Sequence, residues 1–381
     1  MRALIAVSML SSACTSLLGI SDPTPATPGD GGPDSSIDSS IDAPPPCAPA
    51  VTFKAEQTSA IGATGTGFAI GRFDLGNLNA DIAIATGTNV VIMHGDGAGT
   101  FGGNGLKPMI ATAAVDLVVE DFDSEGDDDL VMWTPTTVTM RRLNRALDPP
   151  VEAEQPLTGP FTNVTRVFQE QLDGNLRPDV IVYDTAAGSR VYTSNLGVPG
   201  TFSRDNNLVG TGADELLVVR QIDGLQRADA VFVNGTMVNL SLHTSSFSNP
   251  VNIANGANSK GIAFGKFDGD ALPDLVVSTS MGLVLFRQMT PGMFTMHGMI
   301  SPVQSATPML VGDANDDGRD DIITPTAAIL QCAPAVAGGA GVFTQVEPLS
   351  AGGPAKLVDV NGDTKPDLVR IDGTNIKVRL R

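Results

Sequence analysis

Between residues 312 and 322 the chain reads GDANDDGRDDI, five aspartates in eleven residues. Like charges packed this closely repel one another and give a fold nothing by themselves, so their spacing must carry the meaning. Asp313, Asn315 and Asp317 stand at alternate positions, and Gly318 follows. This is the first half of the calcium loop D-x-[DN]-x-[DN]-G. There positions 1, 3 and 5 turn their oxygens inward and a glycine at position 6 permits the sharp turn. Position 7 offers a backbone carbonyl, here that of Arg319, and position 9 is Asp321. Position 12, which is glutamate when a helix follows such a loop, is Thr324. The β-branched run Ile322, Ile323, Thr324 leads instead into a strand, so the loop is expected to lie between strands.

The elements that position it recur. Seven tracts end in an aspartate followed by an apolar run: RFDLGNLNADIAI, DFDSEGDDDLVM, QLDGNLRPDVIV, QIDGLQRADAVF, KFDGDALPDLVV, DANDDGRDDIIT and DVNGDTKPDLVR. Their closing residues are Asp81, Asp129, Asp179, Asp229, Asp274, Asp321 and Asp367, in steps of 45 to 50 residues. An apolar segment precedes each tract, as in GIAFGKF (261–267), and another follows its closing Asp, as in DLVVSTS (274–280). A third comes after a turn, as in GLVLFRQ (282–288), and a fourth begins near a Gly-x-Phe such as Gly292-Met293-Phe294. Four short strands per unit at this period predict an all-β fold, a seven-bladed β-propeller with four-stranded antiparallel blades over residues 50–381. The last unit ends on its third strand, NIKVRLR. VTFKAEQ at 51–57 is expected to supply the missing strand and close the ring, which removes two open edges.

The units resemble FG-GAP/VCBS repeats, the blades of integrin-α-type propellers. GKFDGDALPDLVV and VDVNGDTKPDLVR are similar to that pattern, and GDGAGTF resembles its inter-strand turn. The likeness covers nearly everything after residue 50. It implies calcium in the loops between first and second strands, and it implies no single activity.

The loops differ in their ligands. The second offers Asp121, Asp123, Glu125, the carbonyl of Asp127, and Asp129, with Gly126 at position 6. The sixth offers Asp313, Asn315, Asp317, the carbonyl of Arg319, and Asp321. The seventh offers Asp359, Asn361, Asp363, the carbonyl of Lys365, and Asp367, but Thr364 replaces the glycine and strains the turn. These three are the calcium candidates. The fifth keeps Asp268, Asp270 and Asp274 as weaker candidates, with the Lys266 ammonium expected to stand in for the ion. The third begins with Gln171, the fourth has Leu225 at position 5, and the first begins with Arg72. In these four loops the acids at positions 3 and 9 are expected to cap backbone N–H groups and hold a turn.

The chain of 381 residues has a net charge of −19 and 42% hydrophobic residues. That is enough apolar surface for a core, on a molecule that attracts cations and repels nucleic acid. MRALIAVSMLSSAC (1–14) reads as a signal peptide. Its Cys14 resembles a lipobox cysteine that would carry a lipid anchor, the alternative being a secreted chain with an unmodified cysteine. Residues 15–49, rich in Pro, Ser, Gly and Asp, read as a disordered tether. If Cys14 is acylated, Cys47 and Cys332 remain as a pair for a disulfide, the alternative being two separate thiols.

GAGTFG (97–102) is a strand turn and not a nucleotide cradle, because no helix follows it. The three histidines, His94, His243 and His297, fall in different units. Trp133, Tyr183 and Tyr192 are the only Trp and Tyr, few for a sugar binder. The expected function is therefore calcium-stabilised binding or adhesion by a monomer at the cell surface, toward a protein or glycan, without catalysis. The alternatives are an extracellular polysaccharide lyase or hydrolase, favoured if carboxylates and a basic residue meet in the central channel, and a purely structural surface component.

Overall fold

The runs after the closing aspartates, such as DIAIA and DLVMW, are short, rich in β-branched residues and buried at every position. Such runs suit strands covered on both faces. In the computed structural model of the protein the second strands are Asp81–Ala85, Asp129–Trp133, Asp179–Asp184, Asp229–Asn234, Asp274–Thr279, Asp321–Ile323 and Asp367–Asp372. Each opens on its closing Asp.

The chain divides into two units, Met1–Ala43 and Pro44–Arg381. The structure describes residues 53–73, 79–102, 109–144, 151–175, 177–205, 215–225, 227–243, 247, 249–255, 257–301, 309–324, 327–332, 342–346 and 353–381. The signal segment 1–14, the tether 15–49, Cys14 and Cys47 lie outside the described residues, as does the side chain of Cys332.

Seven four-stranded antiparallel sheets form the propeller, with no helix among the described residues. Six sheets take four consecutive strands. The seventh joins Ala355–Val358, Asp367–Asp372 and Asn375–Arg379 to the N-terminal strand Gln57–Ala60. The closing strand therefore exists but lies later than 51–57, sharing only Gln57 with it. Its register is Gln57↔Val378 to Ala60↔Asn375, and the Lys54 N–H extends the contact to the Leu380 carbonyl at 2.7 Å. The reason lies in what precedes it. Phe53 packs against the apolar cluster between blades six and seven. Glu56 faces Arg370 at 2.8 Å and Lys377 at 3.2 Å. Those anchors occupy residues 53–56, and the strand ladder begins after them.

The core consists of seven apolar clusters, one at each blade-to-blade interface. The cluster joining Phe68, Ile82 and Ile84 of blade one to Val369, Ile371 and Val378 of blade seven closes the ring. In every blade the residue at loop position 2 points into the interface with the next blade: Phe73, Phe122, Leu172, Ile222, Phe267, Ala314 and Val360. None is more than 2% exposed. The loops are thereby fixed to the packing of the ring.

Candidate metal centre

The closing aspartate makes the same pair of hydrogen bonds in all seven blades. Its Oδ2 accepts the N–H of the position-2 residue, from Phe73, Phe122, Leu172, Ile222, Phe267, Ala314 and Val360, at 2.8–3.1 Å. Its Oδ1 accepts an N–H at the end of the third strand, from Gly95, Leu143, Ser194, His243, Gln288, Gln331 and Arg381, at 2.8–2.9 Å. All seven carboxylates are 0% exposed. Burial pushes Asp129 up to about 8, Asp321 up to about 7, and Asp179 and Asp274 up to about 6, against the N–H bonds that favour the charge. The turn-holding role of position 9 thus extends to every loop, and it ties the loop to the far end of its blade. Position 3 holds the turn locally: Asp123, Asp173, Asp223, Asp268, Asn315 and Asn361 each accept the N–H two residues on.

The aspartates at position 8 explain the densest runs. The Arg72 N–H of blade one donates to Asp128 of blade two at 2.6 Å, and the Lys266 N–H of blade five donates to Asp320 of blade six at 2.7 Å. These carboxylates brace one blade's loop against its neighbour.

Position 4 takes a left-handed conformation in loops two to seven, on Ser124, Gly174, Gly224, Gly269, Asp316 and Gly362, and in the second, sixth and seventh loops position 6 does so too, on Gly126, Gly318 and Thr364. Among the described residues, Ser124 (φ 64°), Asp316 (φ 69°) and Thr364 (φ 69°) are the non-glycine residues with positive φ, and each lies in the second, sixth or seventh loop. The strain read from Thr364 in the sequence is present. In all three loops the position-1 aspartate gathers N–H groups. Asp121 accepts from Glu125 and Gly126, Asp313 from Asp316, Asp317 and Gly318, and Asp359 from Asn361, Gly362 and Thr364.

The second loop alone among the described residues brings three acidic side chains together, with ligand atoms of Asp121, Asp123 and Asp129 all within 4.8 Å of one another. Asp123 is 5% exposed, and burial together with the charges of Glu125 and Asp121 raises its pKa despite the Glu125 N–H bond. Arg142 lies 3.8 Å from the Asp123 carboxylate. Three carboxylates and the Asp127 carbonyl of the same loop are hard oxygen donors of the kind calcium takes, and water would have to complete its shell of six to eight. Glu125 is exposed and stands outside the group of three.

In the sixth loop Asp317 receives the Arg319 guanidinium at 3.2 Å and the Asn315 amide at 3.3 Å. Arg381 reaches the Asp313 carbonyl and lies 3.8 Å from its carboxylate. In the seventh, the Asn361 amide donates to Asp363 at 3.0 Å. These carboxylates are met by donors of the protein itself.

The fifth loop corrects one expectation. The cation in place of an ion is not Lys266 but Arg287 of the third strand Gly282–Thr290, whose Nε lies 2.9 Å from Asp268. Arg142 and Arg287 each immediately precede the residue whose N–H binds the closing Asp, so both reach a loop from the end of the third strand.

His94 lies 3.4 Å from Asp81 and His243 stacks on Phe247, so these two histidines occupy separate blades and separate contacts. Trp133, Tyr183 and Tyr192 are buried at 4% or less, which removes them as sugar-stacking surfaces.

A second charged group was not visible in the sequence. Glu120, Glu170 and Arg220 end the first strands of three consecutive blades, Asp116–Glu120, Val164–Glu170 and Glu215–Arg220. First strands of neighbouring blades lie side by side around the axis. Burial pushes Glu170 up to about 7, opposed by Arg220 and reinforced by Glu120. A cavity of about 390 Å³ nearby is lined by first-strand residues that include Arg220, Phe264, Leu310 and Lys356.

No family model and no curated protein matches the sequence. Solved structures share the fold. An Agrocybe aegerita lectin that recognises non-reducing terminal N-acetylglucosamine is 15% identical, with a TM-score of 0.59 over 84% of this chain and 86% of that one. BBS1N in complex with ARL6DN is 8% identical, with a TM-score of 0.54 over 86% of this chain and 96% of that one. Chain and neighbours are β-propellers, and identities this low carry the fold alone.

Proposed function

We propose that the protein is a secreted binding or adhesion propeller of FG-GAP/VCBS type, held at the cell surface and stiffened by calcium in the second-blade loop. The observation that carries the reading is the convergence of Asp121, Asp123 and Asp129 on one point at the loop rim. A divalent ion there would neutralise buried like charges and lock the turn to the blade. The neighbours support a binding role in general terms, since one recognises a glycan and the other sits in a complex with a protein. Loops presented by a rigid ring are a common place for such contacts.

The test is an array of glycans, including N-acetylglucosamine-terminated ones, and of surface proteins, probed with the full chain in calcium and in chelator. Saturable, calcium-enhanced binding is expected. Absence of any binding in calcium, at concentrations up to the millimolar range, overturns the reading.

One observation favours the enzymatic alternative. Glu120, Glu170 and Arg220, at the ends of first strands, bring two carboxylates and a guanidinium within electrostatic reach of one another, and a raised Glu170 would suit a general acid. Release of reducing ends or unsaturated sugars from extracellular polysaccharides, lost in Glu170→Gln, would replace the binding reading with a catalytic one.

A further inference from the structure

Methionine is among the residues most often buried, and Met93, Met132 and Met140 are 1% exposed or less. Blade five departs from that rule. Its hairpin reads MTPGMFTMHGM over residues 289–299. Met289, Met293, Met296 and Met299 are 56%, 64%, 66% and 61% exposed, and His297 between them is exposed as well. No contact of the ring accounts for four thioethers in solvent.

The strand register draws part of this group together. The outer strand Met293–Ser301 pairs with Gly282–Thr290 through Phe286↔Met296, Leu285↔Gly298 and Val284↔Met299. His297 has no partner opposite it, so it is the extra residue of a β-bulge. Phe286 and Val284 are two residues apart and both are buried in the cluster between blades four and five. Residues directly opposite share a sheet face, so Met296 and Met299 share one too. Without the bulge, residues three apart would point to opposite faces. The bulge sets two thioethers on one face, about 7 Å apart along the strand, with His297 between them in the sequence. Flexible methionine side chains close such a gap readily.

We propose that Met296, His297 and Met299 form a binding site for a soft monovalent cation, copper(I) or silver(I), on the outer edge of blade five. Thioether and imidazole donors select soft ions and have little affinity for calcium. The site is therefore chemically distinct from the acidic loops. The net charge of −19 draws cations to the surface without choosing among them. The choice is made by the sulfur ligands. Met289 and Met293, at the hairpin turn, offer two more thioethers nearby.

The test uses silver(I), which is redox-inert, on the full chain with its cysteine thiols blocked by N-ethylmaleimide. The methionine ε-methyl groups are labelled with carbon-13. Titration is expected to shift the Met296 and Met299 methyl signals first, saturating near one equivalent, while exposed Met237 stays unmoved. Met296→Leu/Met299→Leu keeps the apolar surface and removes the sulfur, and it is expected to weaken binding at least tenfold. His297→Ala is expected to weaken it less. Uniform shifts at all exposed methionines, or silver affinity unchanged in the double variant, would overturn the proposal. So would an apolar partner that binds the leucine variant as well as the native chain without any silver effect.

Discussion

At the scale of single residues, the closing aspartates do two things that are usually separate. Each satisfies two buried N–H groups, and in the second, fifth, sixth and seventh blades it also sits in a loop with two or more other acids. Asp179 isolates the first role, because its loop begins with Gln171 and gathers no group of three acidic side chains. Removing it orphans the N–H groups of Leu172 and Ser194, at a cost of about 2–6 kcal/mol for two unsatisfied donors. Asp179→Ala is therefore expected to lower the denaturant midpoint equally in calcium and in chelator; an unchanged midpoint contradicts the clamp. Thr364, at φ 69°, shows the opposite case. Left-handed backbone costs a non-glycine residue about 1–2 kcal/mol, and glycine returns part of that as entropy. Thr364→Gly keeps the N–H to Asp359 and is expected to raise stability by up to about 1 kcal/mol, read from the same curves. Half of this was legible in the sequence. The regular spacing marked Asp at positions 3 and 9 as turn holders, but the second acceptor bond reaches 10 to 15 residues onward, to the end of the third strand. No local pattern announces that partner.

At the scale of elements, the loop is the hinge between two strands and also the latch on a third. Its charge state is tied to blade packing. Burial pushes Asp179 and Asp274 up to about 6, from an unfolded value near 4. The folded state then holds these protons more tightly than the unfolded chain. That contribution is complete below about pH 4 and is lost as pH rises through about 6. In chelator, the melting temperature is expected to rise as pH is lowered from about 7.5 to about 5.5. A fall across that window contradicts the assignment. The strands themselves were legible because β-branched runs bounded by acidic turns leave little choice of structure. The cation at loop five was not, since Arg287 comes from a strand 13 residues after the closing Asp274. Lys266 looked sufficient from its place in the loop, yet its backbone N–H is bound to the next blade.

At the scale of the molecule, each blade interface is stapled by one position-2 side chain and the ring is completed by Gln57–Ala60. Seven sectors were countable in the sequence because the period is regular. The exact place of the closing strand was not, because the anchors Phe53 and Glu56 precede it and resemble strand residues. Deleting residues 53–61 exposes the Asn375–Arg379 edge and opens the interface between blades seven and one. It is expected to abolish the single cooperative unfolding transition, followed by circular dichroism; retention of that transition contradicts closure by this strand. The candidate metal centre belongs to the same scale, since an ion held by Asp121, Asp123 and Asp129 would bind only the folded ring. The most direct measurement is the melting temperature of the full chain in chelator and in about 10 mM calcium, beside Asp123→Ala. With a dissociation constant near 1 mM, the gain is about 1.4 kcal/mol, or roughly 2 °C or more. The native chain should gain that shift and the variant should not. No shift in the native chain, or an equal shift in the variant, would contradict calcium at this loop.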